Sequence, residues 1–370
     1  MPSFKSSRLD SPETQTAIIP LAKSWLDRFS IFLVSTMAIA SSSCAPNFPT
    51  PNSETLQGQS AGTATPTAKA ELRVVTTFLP MTQFTKAVVG SRAEVVQLLP
   101  TNVGPHDYQA KPGDAQIIAE ADVLVKNGLD MEQFLENLIK NAENPHLKII
   151  DTSQGIKLLS NDLGKEHNHD HGGDHHHDHG EYNPHIWLDP KRAIRQVENI
   201  RDGLIATDPS GKAIYTTNAA AYIQQLQKLD AETAQMLRPY SGQTFVAFHD
   251  FAPYFADSYN LKAEFLVDIP EEKPSPEDVK RVMDTVENTH LKTLLTEPQG
   301  RSVFNALAQD LNVGVSTFDP LETGGVEALQ PDYYITTMRQ NAKNLAFAFT
   351  EKQNQSLLPL RIATPVGLRF

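Results

Sequence analysis

A single cysteine in 370 residues, Cys44, rules out an intramolecular disulfide and any cysteine-rich zinc site. A basic surplus is missing too: 32 Lys and Arg stand against 44 Asp and Glu, a formal charge of −12. That excludes the basic footprint nucleic acid requires and works against attachment to an anionic membrane surface. No HExxH pattern or relative occurs, so the helix signature of a zinc peptidase is absent. The apolar run at 31–40 is only half of the roughly 20 residues that cross a bilayer. What is present, 40% hydrophobic and 21% charged residues, describes a soluble globular chain with room for two domains. Its acidity suits a protein that handles cations.

The N-terminal region has its own logic. Lys23 and Arg28 precede the apolar run, and Ser41, Ser42 and Ser43 follow it, which reads as an export signal over 1–43. A lone Cys44 directly after that pattern resembles the acceptor of a bacterial lipoprotein, lipidated to become the mature N-terminus. Residues 44–70 are rich in Pro, Ser, Thr and Gly and lack an apolar period, so they form a flexible tether of roughly 30 Å r.m.s. reach.

From residue 71 strands and helices alternate. Strands are expected at 72–77, 94–99, 123–125 and 147–150, with helices at 80–90, 114–121 and 131–140 between them. Asp189-Pro190 starts a helix carried on by Ile194, Val197, Ile200 and Leu204. A second long helix follows Asp208-Pro209 and runs to Arg238, with Tyr222, Leu226, Leu229, Met236 and Leu237 on one face and Thr233 as the polar exception. After Gly242 the alternation resumes: strands at 244–248, 263–267, 291–296 and 313–318, and helices at 251–258, 276–287 and 302–311. A closing helix is expected over 333–352, and the tail at 353–370 has no clear period. Such alternation indicates βαβ units and parallel sheets, hence an α/β fold. The expected organisation is a first lobe over 71–208, a connecting helix over 209–241 and a second lobe over 242–352.

The most unusual composition lies at 166–180, where His167, His169, His171, His175, His176, His177 and His179 interleave with Asp170, Asp174 and Asp178. Imidazole and carboxylate are the common nitrogen and oxygen ligands of borderline metals. With almost no apolar surface the tract cannot pack a core, so it reads as a metal-collecting loop.

In open α/β sheets ligands sit outside the carboxyl ends of the strands. Four metal-competent side chains follow expected strands there: His106, His185, His249 and Asp319. Two belong to each half, so a cleft between the halves would gather an N3O set, which zinc accepts in tetrahedral geometry. Asp319, standing before Pro320, also suits a turn. Asp107 and Glu297 are further oxygen candidates, whereas His146 and His290 stand at element boundaries and read as structural.

At these residues the chain resembles the metal-binding solute receptors of ABC importers known as cluster A-I, the zinc receptors in particular. The resemblance runs from about Val74 to Phe347 and is carried by VVTTFLPMTQFTKAVVG, VGPHDYQAKPGD, ADVLVKNGLDMEQF, NPHIWLDP, FHDFAPYFADSYNL and STFDPL. It implies two (β/α) lobes joined by a long rigid helix, a metal buried between them, and His106, His185, His249 and Asp319 as ligands. It also implies a zinc-binding receptor, not an enzyme, that captures Zn2+ outside the cytoplasmic membrane for an ABC permease. That receptor is expected to be monomeric and periplasmic, with an anchor at Cys44. His249 stands where manganese-selective relatives carry a carboxylate, and three imidazoles favour zinc over oxygen-preferring manganese. The alternatives are a manganese or iron receptor of the same family, a metal-binding adhesin, or a zinc hydrolase.

Overall fold

A computed structural model describes residues 72–106, 108–161, 180–298 and 301–350. The export signal, the tether with Cys44, Asp107, the seven histidines of the tract and the tail lie outside the described residues.

The first half runs β1 (Leu72–Thr76), α1 (Leu79–Val89), β2 (Ala93–Gln97), α2 (Pro112–Ala119), β3 (Val123–Lys126), α3 (Leu135–Ala142) and β4 (Lys148–Asp151). Its strands pair in parallel in the order β2-β1-β3-β4, with Val74 of β1 opposite Val95 on one side and Val123 on the other. Val74, Val75, Val123, Leu124 and Val125 are fully buried, as the inner strands of a parallel sheet covered on both faces should be.

Two helices follow, α4 (Pro190–Thr207) and α5 (Lys212–Leu237). Asp189 caps α4 by accepting from the Lys191 amide at 3.1 Å, with Pro190 in the first turn. The 26 residues of α5 extend roughly 39 Å at the α-helical rise. Its buried stripe is Tyr215, Ala219, Tyr222, Leu226, Leu229, Thr233 and Leu237. Thr233 thus keeps its place on the apolar face, while Met236 lies at the stripe's margin.

The second half repeats the first: β5 (Thr244–His249), α6 (Pro253–Ser258), β6 (Lys262–Val267), α7 (Pro276–Thr289), β7 (Thr293–Thr296), α8 (Arg301–Leu311), β8 (Gly314–Thr317) and the closing α9 (Pro331–Ala348). The parallel order is β6-β5-β7-β8, the same pattern as before. The expectation of an α/β chain with two parallel-sheet domains is met. In both sheets the strand order reverses beside the first strand, the place where such sheets collect ligands.

Local signals account for most boundaries. Gly90 ends α1 at φ 57°, a backbone conformation that glycine adopts without strain. Ser275 and Asp278 form a reciprocal capping box at the start of α7. The clearest departure is α3, which begins at Leu135 and not near Met131. Glu132 reaches back to accept from the amides of Asn127 at 2.7 Å and Gly128 at 3.1 Å and from the Thr77 hydroxyl at 2.8 Å. That holds Gly128, Leu129 and Asp130 in left-handed conformations and delays the helix.

The two halves share apolar packing. Phe84 of α1 meets Tyr334 of α9 edge-on at 4.9 Å between ring centroids, and the Trp187 indole N–H donates to the Pro320 carbonyl at 2.8 Å. Phe255 and Phe318 of the second half belong to the same buried cluster as Val74, Trp187 and Leu226.

Candidate metal centre

Each candidate side chain reaches the cleft by a different local device. His106 lies in the loop between β2 and α2. His185 precedes a single 3₁₀ turn, Ile186–Leu188, after the chain leaves β4. His249 is the last residue of β5, paired with Val267 of β6. The three rings meet with nearly equal centroid separations of 5.3, 5.4 and 5.3 Å.

The carboxylate that joins them is Glu322, not Asp319. His106, His185, His249 and Glu322 form a group whose ligand atoms all lie within 4.8 Å of one another. Glu322 Oε1 stands 3.1 Å from His106 Nε2, 3.1 Å from His185 Nε2 and 3.4 Å from His249 Nε2. The Nε2 atoms of His106 and His185 are 3.3 Å apart. Four donors bonded to zinc at 2.0–2.1 Å define a tetrahedron with edges of roughly 3.3–3.4 Å. The three spacings from Glu322 and the one between His106 and His185 are close to those edges.

Asp319 corrects the expectation drawn from strand ends. Its Oδ1 accepts from the Leu321 amide at 2.8 Å, and its backbone is clamped on both sides by the Asn341 side chain at 2.9 and 2.7 Å. The aspartate is a turn residue whose Oδ1 holds the backbone two positions on, outside the group of four donors. Leu321 follows at φ 63°, an uncommon conformation for a branched residue, and this reversal delivers Glu322 to the cleft. The burial pattern at 318–322 marks Glu322 as buried, but the sequence alone carries no signal that separates it from Asp319.

Hydrogen bonds from behind decide which nitrogen of the His185 and His249 rings faces inward. His185 Nδ1 lies 3.0 Å from Asn183 Oδ1, which also accepts the His185 amide at 3.0 Å. That oxygen can only accept, so Nδ1 carries the hydrogen and Nε2 turns a lone pair on the cleft. His249 Nδ1 bonds Glu297 Oε1 at 2.5 Å. Glu297, one of the further oxygen candidates, thus orients a ring from behind, in the carboxylate–histidine arrangement common at metal sites. His249 Nε2 is buried with no hydrogen-bond partner among the described residues.

The electrostatics suit a cation. Burial opposes charge on His249, but the Glu297 and Glu322 carboxylates outweigh it and push its pKa up to about 10. Burial also works against the charge on Glu322, yet the neighbouring imidazoles hold its carboxyl well below the usual range. Burial pushes His185 well below its ordinary value, keeping it neutral. The two carboxylates that favour charge on His249 would favour a divalent cation at the same place more strongly.

Of the other candidates, His290 is the left-handed C-cap of α7 at φ 54°, and the His146 amide donates to Asn144 Oδ1 at 3.0 Å. Neither belongs to the group of donors in the cleft.

Comparison with known proteins agrees with this geometry. The zinc-binding lipoprotein AdcA of Streptococcus pneumoniae is 33% identical over 281 residues, covering 75% of this chain and 56% of AdcA. The chain thus spans little more than half the length of that relative. The high-affinity zinc uptake system protein ZnuA of Bacillus subtilis is 33% identical over 277 residues, 73% of this chain and 85% of that protein. A solved structure of the Zn(II)-bound ZnuA-like domain of S. pneumoniae AdcA superposes with a TM-score of 0.63 at 30% identity, covering 75% of this chain and 98% of that one. The family described as ZnuA, the periplasmic component A of zinc-uptake complexes, matches residues 74–348. With most of its folded part inside that match and three imidazoles and a glutamate gathered in its cleft, the chain belongs to the ZnuA family of zinc-uptake components.

Proposed function

We propose that this chain is a zinc receptor that captures Zn2+ outside the cytoplasmic membrane and hands it to an ABC permease. One observation carries the reading: the Nε2 atoms of His106, His185 and His249 and Oε1 of Glu322 converge on one point. Three imidazoles favour zinc over manganese, which prefers oxygen-rich sites of higher coordination. Four protein donors fill a tetrahedral sphere and leave no open position for a reactive water, which argues for binding and against hydrolysis.

On this reading the lobes at 71–208 and 242–352 hold the ion between them, with 209–241 as connector. The His-rich tract collects zinc loosely near the cleft, Cys44 anchors the monomer to the membrane by a lipid, and the residues from 44 to 70 give it reach. The apolar packing common to both lobes leaves little room for a wide hinge, so release requires the permease to disturb the donor set.

Metal analysis of protein prepared without added metal tests the proposal. One tightly held zinc per chain is expected, and it should survive deletion of residues 166–180 but not His249→Ala. Loss of the tight zinc on deleting the tract, with the cleft intact, would overturn the assignment.

A further inference from the structure

Asn183 sits between the two halves, and each end of its side chain has a partner of fixed polarity. Its Nδ2 donates to the backbone oxygen of Asp250 at 2.8 Å and to Asp250 Oδ2 at 3.1 Å. Its Oδ1 accepts from the His185 backbone amide at 3.0 Å. A carbonyl can only accept and an amide N–H can only donate, so the orientation of this amide is dictated by chemistry at both ends. The same Oδ1 lies 3.0 Å from His185 Nδ1, which must therefore be the protonated nitrogen of that ring. Asn183 is 1% exposed and His185 fully buried, so no water competes for these bonds.

The backbone around it is held as closely. The Asn183 carbonyl accepts from the Tyr254 hydroxyl at 2.7 Å, and the Pro184 carbonyl from Asn127 Nδ2 at 2.9 Å. Tyr254 belongs to α6 and Asp250 follows β5, both in the second half, and Asp250 is the next residue after His249. His185 is thus a donor of the first half whose inward nitrogen is set by a residue of the second half, acting through one amide.

We propose that Asn183 is a positioning residue of the metal centre, as Glu297 is for His249: it locks His185 in the tautomer with Nδ1 protonated, and Asp250 holds Asn183 in that orientation across the cleft. This rests on the zinc reading above and adds a residue pair to it. The consequence is a coupling between lobe apposition and donor competence. When the second half draws back, Asp250 and Tyr254 leave Asn183 together. His185 then loses the support that keeps its lone pair aimed at the ion.

The test uses the full chain with 15N-labelled histidine, and His185→Ala identifies the His185 signals. Zinc-free wild type should show His185 as the single Nδ1–H tautomer. Asn183→Ala should show a mixture and bind zinc about 10–100-fold more weakly in competition with a chromophoric chelator, the usual cost of removing a hydrogen-bond partner from a metal-binding histidine. Asn183→Asp keeps the acceptor for His185 but sets a carboxylate against Asp250, so its affinity should also fall. The exchange N183D/D250N removes the carboxylate–carboxylate repulsion but leaves the Asp250 backbone oxygen without its donor, so it should bind more tightly than Asn183→Asp and recover only part of the loss. Wild-type affinity and an unchanged single tautomer in Asn183→Ala would overturn the inference. If that variant does not fold, an exchange variant no better than Asn183→Asp does the same. Should His185→Ala itself retain the tight zinc, the metal centre is wrong; if it loses zinc while Asn183→Ala does not, only the role of Asn183 fails.

Discussion

Glu322 stands three residues beyond the aspartate at the end of β8, and the difference between them is one of reach and prior engagement. Asp319 spends its carboxylate on the Leu321 amide, while Glu322 faces all three imidazoles from 3.1–3.4 Å. Glu322→Ala should therefore weaken zinc binding by more than the ~10–100-fold lost with an outer hydrogen-bond partner, whereas Asp319→Ala should keep the stoichiometry and lose only stability, as read by chelator competition and thermal melting. Protons provide a second handle at this scale. His249, with its pKa pushed up to about 10, carries a proton at neutral pH that a metal must displace. Apparent zinc affinity should accordingly rise with pH between 7 and 9, with about one proton released per ion bound. Calorimetry in buffers of different ionisation enthalpy measures that number, and zero release would contradict the assignment.

Among the elements, α3 is the one whose start the sequence misplaces, and Glu132 is the reason. Its buried carboxylate accepts three hydrogen bonds from the turn at 127–128 and Thr77, yet burial still pushes its pKa up to about 6. The folded value lies above the unfolded one near 4.5, so the folded state binds more protons in between. The favourable contribution is complete below pH 4.5 and is lost as pH rises through 6. Glu132→Gln should remove that slope from denaturant melts between pH 4.5 and 6.5. It should also cost about 1–3 kcal/mol at pH 7, because an amide nitrogen cannot accept from the Gly128 N–H. The starts of α4 and α7 and the end of α1, by contrast, fall where proline, capping residues and glycine say they should, since each signal acts within one turn of the chain.

Over the whole molecule, what matters is that both halves share one buried cluster, with Phe84 against Tyr334 and α5 packed on α1, α4 and α9. A core of this kind is closely packed and deforms little. Zinc should leave the small-angle scattering curve of the folded part unchanged; a large contraction on adding zinc would show a hinge that this packing does not allow. Binding to the folded state alone should still stabilise it, by about 4 kcal/mol at a thousandfold excess over Kd. Thermal melts with and without zinc check this, and His249→Ala should abolish the shift.

The alternation of apolar runs with capped helices was legible from the residues because that pattern is written in consecutive positions, and the three histidines were legible as metal-competent side chains that follow strands, although only His249 ends one. So was the placing of Glu297 near the site, though not its task behind His249. The choice between Asp319 and Glu322 was not legible. It depends on a left-handed Leu321 and on Asn341, 22 residues away, clamping the turn. The inward tautomer of His185 lay further out of reach, since it is set by Asn183 and Asp250, 67 positions apart. Local sequence determined which side chains could bind a metal; the apposition of two sheets on one shared core decided which of them face one point, because only there do bonds from one half orient donors on the other.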